Sequence, residues 1–358
     1  MPARGGARLE WGKAMRAEIR LSLVILLVVA LFAVALHSVG VNPFRLAGYA
    51  ANLILFVAAW FVMSSVRLVW HLLRDRPAYP LAYLWIHDFG HEYRARLMHS
   101  WPILLAAIIF LPTFSAMKSA IPLFQDYRWD QSFIDLDQLI HGTDAWRMLQ
   151  PVLGFPILTF AISTLYQIWI LLIYMGTIFV ALHVGDRDLR LRYFKSFFAI
   201  WTVNGVLLAI AFASVGPCFA GAMLDNHHFA EQMDYLHRAN MHWPIMSIEV
   251  QQQLIRWHGG GSAELGRGIS AMPSMHVSLA VLFFLAARRI NRAMGVFFGI
   301  YAAVILIGSV HLAYHYAIDG YLSIVTTLLL WGAFRRRAAA TNGVQQPSVP
   351  GLLPDRAR

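Results

Sequence analysis

Gly268-Ile269-Ser270-Ala271-Met272-Pro273-Ser274-Met275-His276 and Ser309-Val310-His311-Leu312-Ala313-Tyr314-His315-Tyr316-Ala317-Ile318-Asp319-Gly320 each stand at the edge of a long apolar run. Ionisable groups are costly to hold at a membrane boundary, so their presence there raises a functional-site hypothesis. His315 and Asp319 are four apart, which predicts one shared helical face, with His311 four residues earlier able to join it. Pro273-Ser274 reads as a helix start with His276 in the first turn. The apolar run from about 277 to 287 leaves His276, and the run 293–308 returns to His311. A hairpin of two spanning helices then brings both stretches to one side of the bilayer.

Composition sets the frame. The 358 residues are 58% hydrophobic and only 13% charged, with mean hydropathy +0.55. A soluble domain would carry about a quarter charged residues. Several runs of roughly twenty apolar residues make the expected fold class an all-α integral membrane protein. The net charge of +10 therefore concerns placement about a membrane rather than nucleic acid. Cys218 is the sole cysteine, so no intrachain disulfide can form.

About eight transmembrane helices are expected: 21–36, 46–66, 101–117, 157–184, 193–215, one starting at Ser274, 293–310 and 316–334. Residues 1–20 form a basic N-terminal segment, 21–334 the membrane catalytic domain, and 335–358 a basic, disordered tail. The run 21–36 resembles a signal-peptide core without a convincing cleavage site, and reads as an uncleaved anchor. Residues 67–100 suit an interfacial helix, and 216–272 a partly helical cap with a flexible joint at Gly259-Gly260-Gly261. Eight spans put both termini on one side. Of the 29 Lys and Arg residues, 22 fall on that side and 7 on the other. Positive residues stay cytoplasmic, so the site is expected to face outward: to the periplasm or exterior of a bacterial inner (plasma) membrane, or to the lumen in a eukaryote.

Histidine can attack phosphorus, a carboxylate can orient it, and a second histidine can protonate the leaving oxygen. Helix-start N–H groups can hold phosphate oxygens. His276, His315 and Asp319 are the candidate catalytic residues on this reading. Ser274 suits a helix cap with secondary phosphate contact. His311 either assists phosphate binding or satisfies a carbonyl. The same three histidines with Asp319 could instead ligate a metal. A second cluster, His87, Asp88, His91, Glu92 and His99, also has metal-permitting spacing, though an interfacial amphipathic helix explains it more simply. Phe133, Leu136 and Ile140 predict a short amphipathic surface helix. Asp130, Asp135 and Asp137 around it read as a solvated face, or as contacts to a polyol headgroup. A transporter or scaffold is the non-enzymatic alternative, opposed by span centres nearly free of charge.

At these residues the chain resembles the type 2 phosphatidic acid phosphatase superfamily, whose motifs are Pro-Ser-Gly-His and, further on, Ser-Arg followed by His and, four residues later, Asp. Pro273-Ser274-Met275-His276 matches the first except at Met275, and His315 and Asp319 match the end of the second. Ser309 stands where a phosphate-binding Arg would be, and the upstream Lys-x6-Arg-Pro motif has no good counterpart. These departures, with His315-Tyr316-Ala317-Ile318-Asp319, Gly216-Pro217 and the Asp-containing loop after Lys118, resemble the inositol phosphorylceramide synthase (inositolphosphotransferase) branch. The resemblance implies a phosphatase-type helical core in the C-terminal part, a phosphohistidine intermediate, no metal or other cofactor, and a membrane lipid phosphate donor with a lipid or water acceptor. Lys118 or Arg267 is then the candidate replacement for the missing Arg.

Overall fold

A computed structural model describes residues 3–79, 82, 91–259 and 268–335. Among these, every regular element is helical. The helices are α1 (Ala3–Ser38), α2 (Leu46–Asp75), α3 (His91–Ser119), α4 (Ile121–Phe124), α5 (Asp130–His141), α6 (Ala145–Leu153) and α7 (Pro156–His183). There follow α8 (Arg187–Thr202), α9 (Pro217–Leu224), α10 (Ala230–His242), α11 (Met246–Gly259), α12 (Met275–Ile290), α13 (Arg292–His311) and α14 (Ala317–Ala333).

Among the described residues, six helices are long and apolar enough to cross a membrane: Met15–Ser38, Leu46–Asp75, Arg94–Ser119, Pro156–His183, Arg187–Ala211 and Arg292–His311. The two other expected spans are shorter, α12 with 16 residues and α14 with 17. At 1.5 Å per residue they reach roughly 24 and 26 Å, less than the ~30 Å hydrocarbon core. Helix α12 is the centre of the bundle. It is buried along most of its length and packs on α13, α14, α8 and α7.

Span boundaries follow from caps and polar partners. The fifth starts earlier than expected because the Asp186 carboxylate accepts from the N–H groups of Asp188 and Leu189, at 2.9 and 3.1 Å. One turn in, Arg190 is buried and donates from Nε to Glu18 of α1 at 3.1 Å. The polar N-terminal segment thereby joins α1 instead of preceding it. Past Thr202, α8 widens into a π-helical turn, Val203–Leu208, then regains α geometry to Ala211. Within that turn Asn204 donates to Ser278 of α12 at 2.9 Å and Thr326 of α14 at 2.8 Å. A π turn exposes such a side chain for a specific contact. Gly205 lets α3 approach, since a Cβ there would lie 2.5 Å from the Phe114 ring.

Helices α10 and α11 form the expected cap over α7. Phe229 and Leu236 of the first pattern are buried. Asp144 ties α6 to this cap, accepting from His228 at 2.8 Å. Gly260 and Gly261 of the expected joint, and nearly all of the tail, lie outside the described residues.

The amphipathic helix at 130–141 exists, but its faces differ from the expectation. Asp130, Phe133, Ile134 and Asp137 are buried, whereas Leu136, Leu139 and Ile140 are exposed. Only Asp135 is solvated as expected. Asp130 accepts from the Val215 and Gly216 N–H groups at 3.0 and 2.9 Å and from the Tyr316 hydroxyl at 2.8 Å. Asp137 accepts from the Ala317 and Ile318 N–H groups at 2.7 and 2.9 Å. The two carboxylates satisfy otherwise orphaned donors at the start of α14 and in the segment before α9. Gly216 is required there, with φ +90° and room for no Cβ, the Tyr314 carbonyl lying 2.6 Å from where one would stand.

Candidate active site

Helix α12 begins at Ser274, whose hydroxyl accepts from the Val277 N–H at 3.4 Å. The first turn carries His276, as the sequence predicts. Its ring lies between Tyr166 and Trp169 of α7, each with ring centroids 4.1 Å away. Positions 166 and 169 share a helical face, so one side of α7 supplies both plates. Tyr314 stacks on Tyr166 at 5.1 Å. The sandwich fixes the imidazole plane without using its nitrogens.

His315 is not helical. It sits in the 312–316 connection between α13 and α14, so it shares no helical face with Asp319 or His311. Two contacts hold it instead. The Ser309 carbonyl accepts from the Tyr314 and His315 N–H groups, both at 3.1 Å. Asp319, in the first turn of α14, reaches back to the Tyr316 N–H at 3.1 Å and to His315 Nδ1 at 3.2 Å. The first of these is the backward half of a capping box. Asp319 is fully buried. With Nδ1–H donating to the carboxylate, the Nε2 lone pair of His315 is the one available for chemistry. Burial, then the nearby Lys118 ammonium, hold this imidazole below its ordinary pKa, against a smaller opposite effect of the Ala271 carbonyl. The His276 and His315 ring centroids are 6.2 Å apart.

Both histidines line a cavity of about 270 Å³. Lys118, at the end of α3, lines it too. The segment from Gly268 runs against Lys118, where a Cβ on Gly268 would lie 2.6 Å from the lysine Cγ. Ser270 also faces the cavity, its buried hydroxyl having no partner among the described residues. The remaining wall is largely apolar, with Phe114, Ile173, Trp201 and Leu254.

The other predicted residues lie elsewhere. Ser274 caps α12 and does not line the cavity. The Ser309 hydroxyl donates to the Leu306 carbonyl at 2.7 Å. His311 Nε2 is 2.9 Å from the Thr159 hydroxyl, beside Tyr235. Arg267, His87 and Asp88 lie outside the described residues, as do the side chains of His91 and Glu92; His99 is buried in α3. Among the described residues, no three His, Cys, Asp or Glu side chains gather as a metal-ligand set. Sequence reasoning missed Tyr166, Trp169 and Ser270. Ser270 could have been found inside the quoted motif; the two aromatics sit in an apolar span with nothing to set them apart.

A buried histidine held by a carboxylate, a second histidine and a lysine surround one cavity in an all-helical bundle with membrane-spanning helices, an arrangement that can carry phosphate chemistry. A family model described as the PAP2 superfamily matches residues 131–333, more than half of the chain, and the protein belongs to that superfamily. Its members are generally phosphatases or phosphotransferases, which makes this an enzyme of that general kind, with membrane lipid phosphates as plausible substrates. Comparisons with curated proteins and with solved structures return no match.

Proposed function

We propose that the protein is a membrane lipid phosphotransferase that moves a phosphoryl or phosphoinositol group between lipids through a histidine-bound intermediate. The observation that carries this reading is the His315–Asp319 pair opening into the same cavity as His276 and Lys118. His315 Nε2 attacks phosphorus and the ester P–O bond breaks. The departing alkoxide takes a proton from His276. An acceptor hydroxyl then attacks phosphorus, the P–N bond breaks, and the acceptor's proton goes to His276. Asp319 holds the tautomer and balances the imidazolium charge. Lys118 takes the phosphoryl oxygens, the role left open by Ser309, with Arg267 as the second candidate. Ser309 and Ser274 act as positioning residues, and His311 acts through Thr159.

The topology proposed is eight spans, α12 and α14 being the two short ones. Both termini are cytoplasmic, and the site is on the outer face of a bacterial inner (plasma) membrane. The asymmetry of basic residues supports this orientation.

Hydrolysis of a phosphatidyl or polyprenyl phosphate is the second reading, and one observation favours it. Asp130 and Asp137, the acids available to recognise a polyol, are committed to backbone N–H groups. Nothing acidic from α5 is then left for an inositol ring except the exposed Asp135. The test is incubation of purified protein with labelled lipid phosphates, with and without a lipid alcohol. A new labelled lipid supports transfer; free phosphate under both conditions rejects it in favour of hydrolysis.

A further inference from the structure

The transfer proposed above asks opposite things of two imidazoles whose centroids are 6.2 Å apart. His315 must be neutral to attack phosphorus, whereas His276 must carry a proton to give the leaving oxygen. His315 has a carboxylate partner in Asp319. His276 has no such anion: among the described residues, no acidic side chain lines the cavity. The titratable and charged groups around its ring are Lys118 from α3, Tyr166 from α7, and Tyr314 and His315 from the connection before α14, with Asp319 behind His315. Lys118 repels a cation at His276.

What faces the ring is aromatic. Tyr166 and Trp169 each lie with centroids 4.1 Å away, at interplanar angles of 21° and 28°. Tyr314 extends the pile behind Tyr166, at 5.1 Å and 7°. A cation within about 6 Å of an aromatic centroid is attracted by the negative face of the ring, most strongly by that of Trp, and more so when desolvated. The polar atoms of the two plates do not account for their presence. The Tyr166 hydroxyl and the Trp169 indole nitrogen are buried with no partner among the described residues, although buried Tyr and Trp usually find one. A leucine would avoid that desolvation cost, but it would present no π face.

We propose that Trp169 and Tyr166 are positioning residues that hold His276 as the imidazolium, their faces taking the place of an anion. The use made of the proton rests on the transfer mechanism: the imidazolium gives it to the departing alkoxide and regains it from the acceptor hydroxyl. Ring faces suit this task better than a carboxylate. They do not compete for the proton, and they do not repel the phosphate that must enter the same cavity.

The test is NMR of the full-length protein in detergent, isotopically labelled at histidine Cε1, with the His276 signal assigned by its loss in His276→Ala. Trp169 is replaced site-specifically by tryptophans carrying one to four ring fluorines, which drain negative charge from the face while nearly keeping its shape. The native signal should be that of a protonated ring at neutral pH, and its titration midpoint should fall stepwise with fluorine number. Loss of one desolvated cation–π contact corresponds to about a thirtyfold change in proton affinity, or about 1.5 pH units. The same replacements at Trp129, stacked on Phe133, should leave the midpoint in place. So should Glu264→Gln, which removes a carboxylate outside the described residues. In turnover of a labelled lipid phosphate, the alkaline limb of kcat/KM should follow the midpoint, so that lowering the pH restores the fluorinated variants. A His276 ring still neutral at about pH 5, a midpoint indifferent to fluorine at Trp169, or a midpoint that moves with Glu264→Gln would each overturn the inference. Full activity in His276→Ala beside a fluorine-sensitive midpoint would instead remove the transfer mechanism and leave the aromatic cage standing.

Discussion

The two N-terminal helices and the C-terminal bundle are both apolar, yet they meet their surroundings differently. In the most apolar stretch of α2 only 11% of residues are buried, and in that of α1 only 28%, against 72% in α3. Helices α1 and α2 are thus largely lipid-facing, while α3 is a wall of the core. The family match begins at residue 131, after all three. Lys118 of α3 nevertheless lines the cavity with His276 and His315. The lesson is that the family-matching region does not contain the whole wall of the candidate site's cavity: one cation lining it comes from a helix outside that region, and that helix is set apart by burial rather than by hydropathy.

The largest effect is expected inside the C-terminal bundle. His315→Ala should abolish turnover, while His276→Ala should lose about 10²–10⁴ in rate and leave a slowly formed phosphoryl adduct on His315. Mass spectrometry of the His276 variant after substrate addition reads this directly. Full activity in His315→Ala would end the mechanism. Orthovanadate, five-coordinate with a histidine nitrogen apical, should inhibit tightly because it resembles the transition state. Activity should survive exhaustive dialysis against EDTA. Loss on dialysis with recovery on adding zinc or manganese would make the histidines ligands instead.

Lys118→Ala tests whether α3 belongs to the site. If α3 completes it, kcat should fall by about 10²–10³, as for loss of one donor to a developing oxyanion. A family-matching region sufficient by itself predicts no change. Asp137→Leu should act on stability rather than chemistry, costing about 1.5–3 kcal/mol as two backbone donors lose a charged acceptor. A lowered melting temperature, with activity per folded molecule retained near permissive temperature, is the readout. The smallest effect is expected in α2, where Leu53→Ala removes an exposed side chain and should stay within about 0.5 kcal/mol. A large loss there would mean that α2 is packed in the membrane, and the contrast with α3 would fail.

Much was legible in the chain itself. Hydropathy alone set an all-helical membrane protein, because backbone groups in lipid must be satisfied within the segment. Pro273-Ser274 marked the start of α12, and with it the position of His276, since capping is local chemistry. The pairing of His315 with Asp319 was also legible, though for the wrong reason. The spacing pointed to a shared helical face, whereas the contact is made by a first-turn carboxylate reaching back past its cap.

What only the tertiary structure decided involves partners far apart in sequence. Helix α5 shows why. An apolar stripe points inward when the surroundings are water, but beside a membrane the outside is apolar too, and the stripe loses its direction. So Leu136, Leu139 and Ile140 face out, while Asp130 and Asp137 turn in to donors on residues 215–216 and 316–318. The same holds for Lys118 beside the two histidines, for His311 against Thr159, and for His276 between Tyr166 and Trp169. Periodicity and hydropathy report local geometry and partition between water and lipid. Which buried polar groups meet is fixed only when segments 85 to 186 residues apart pack, because each such group must find its partner inside the bundle.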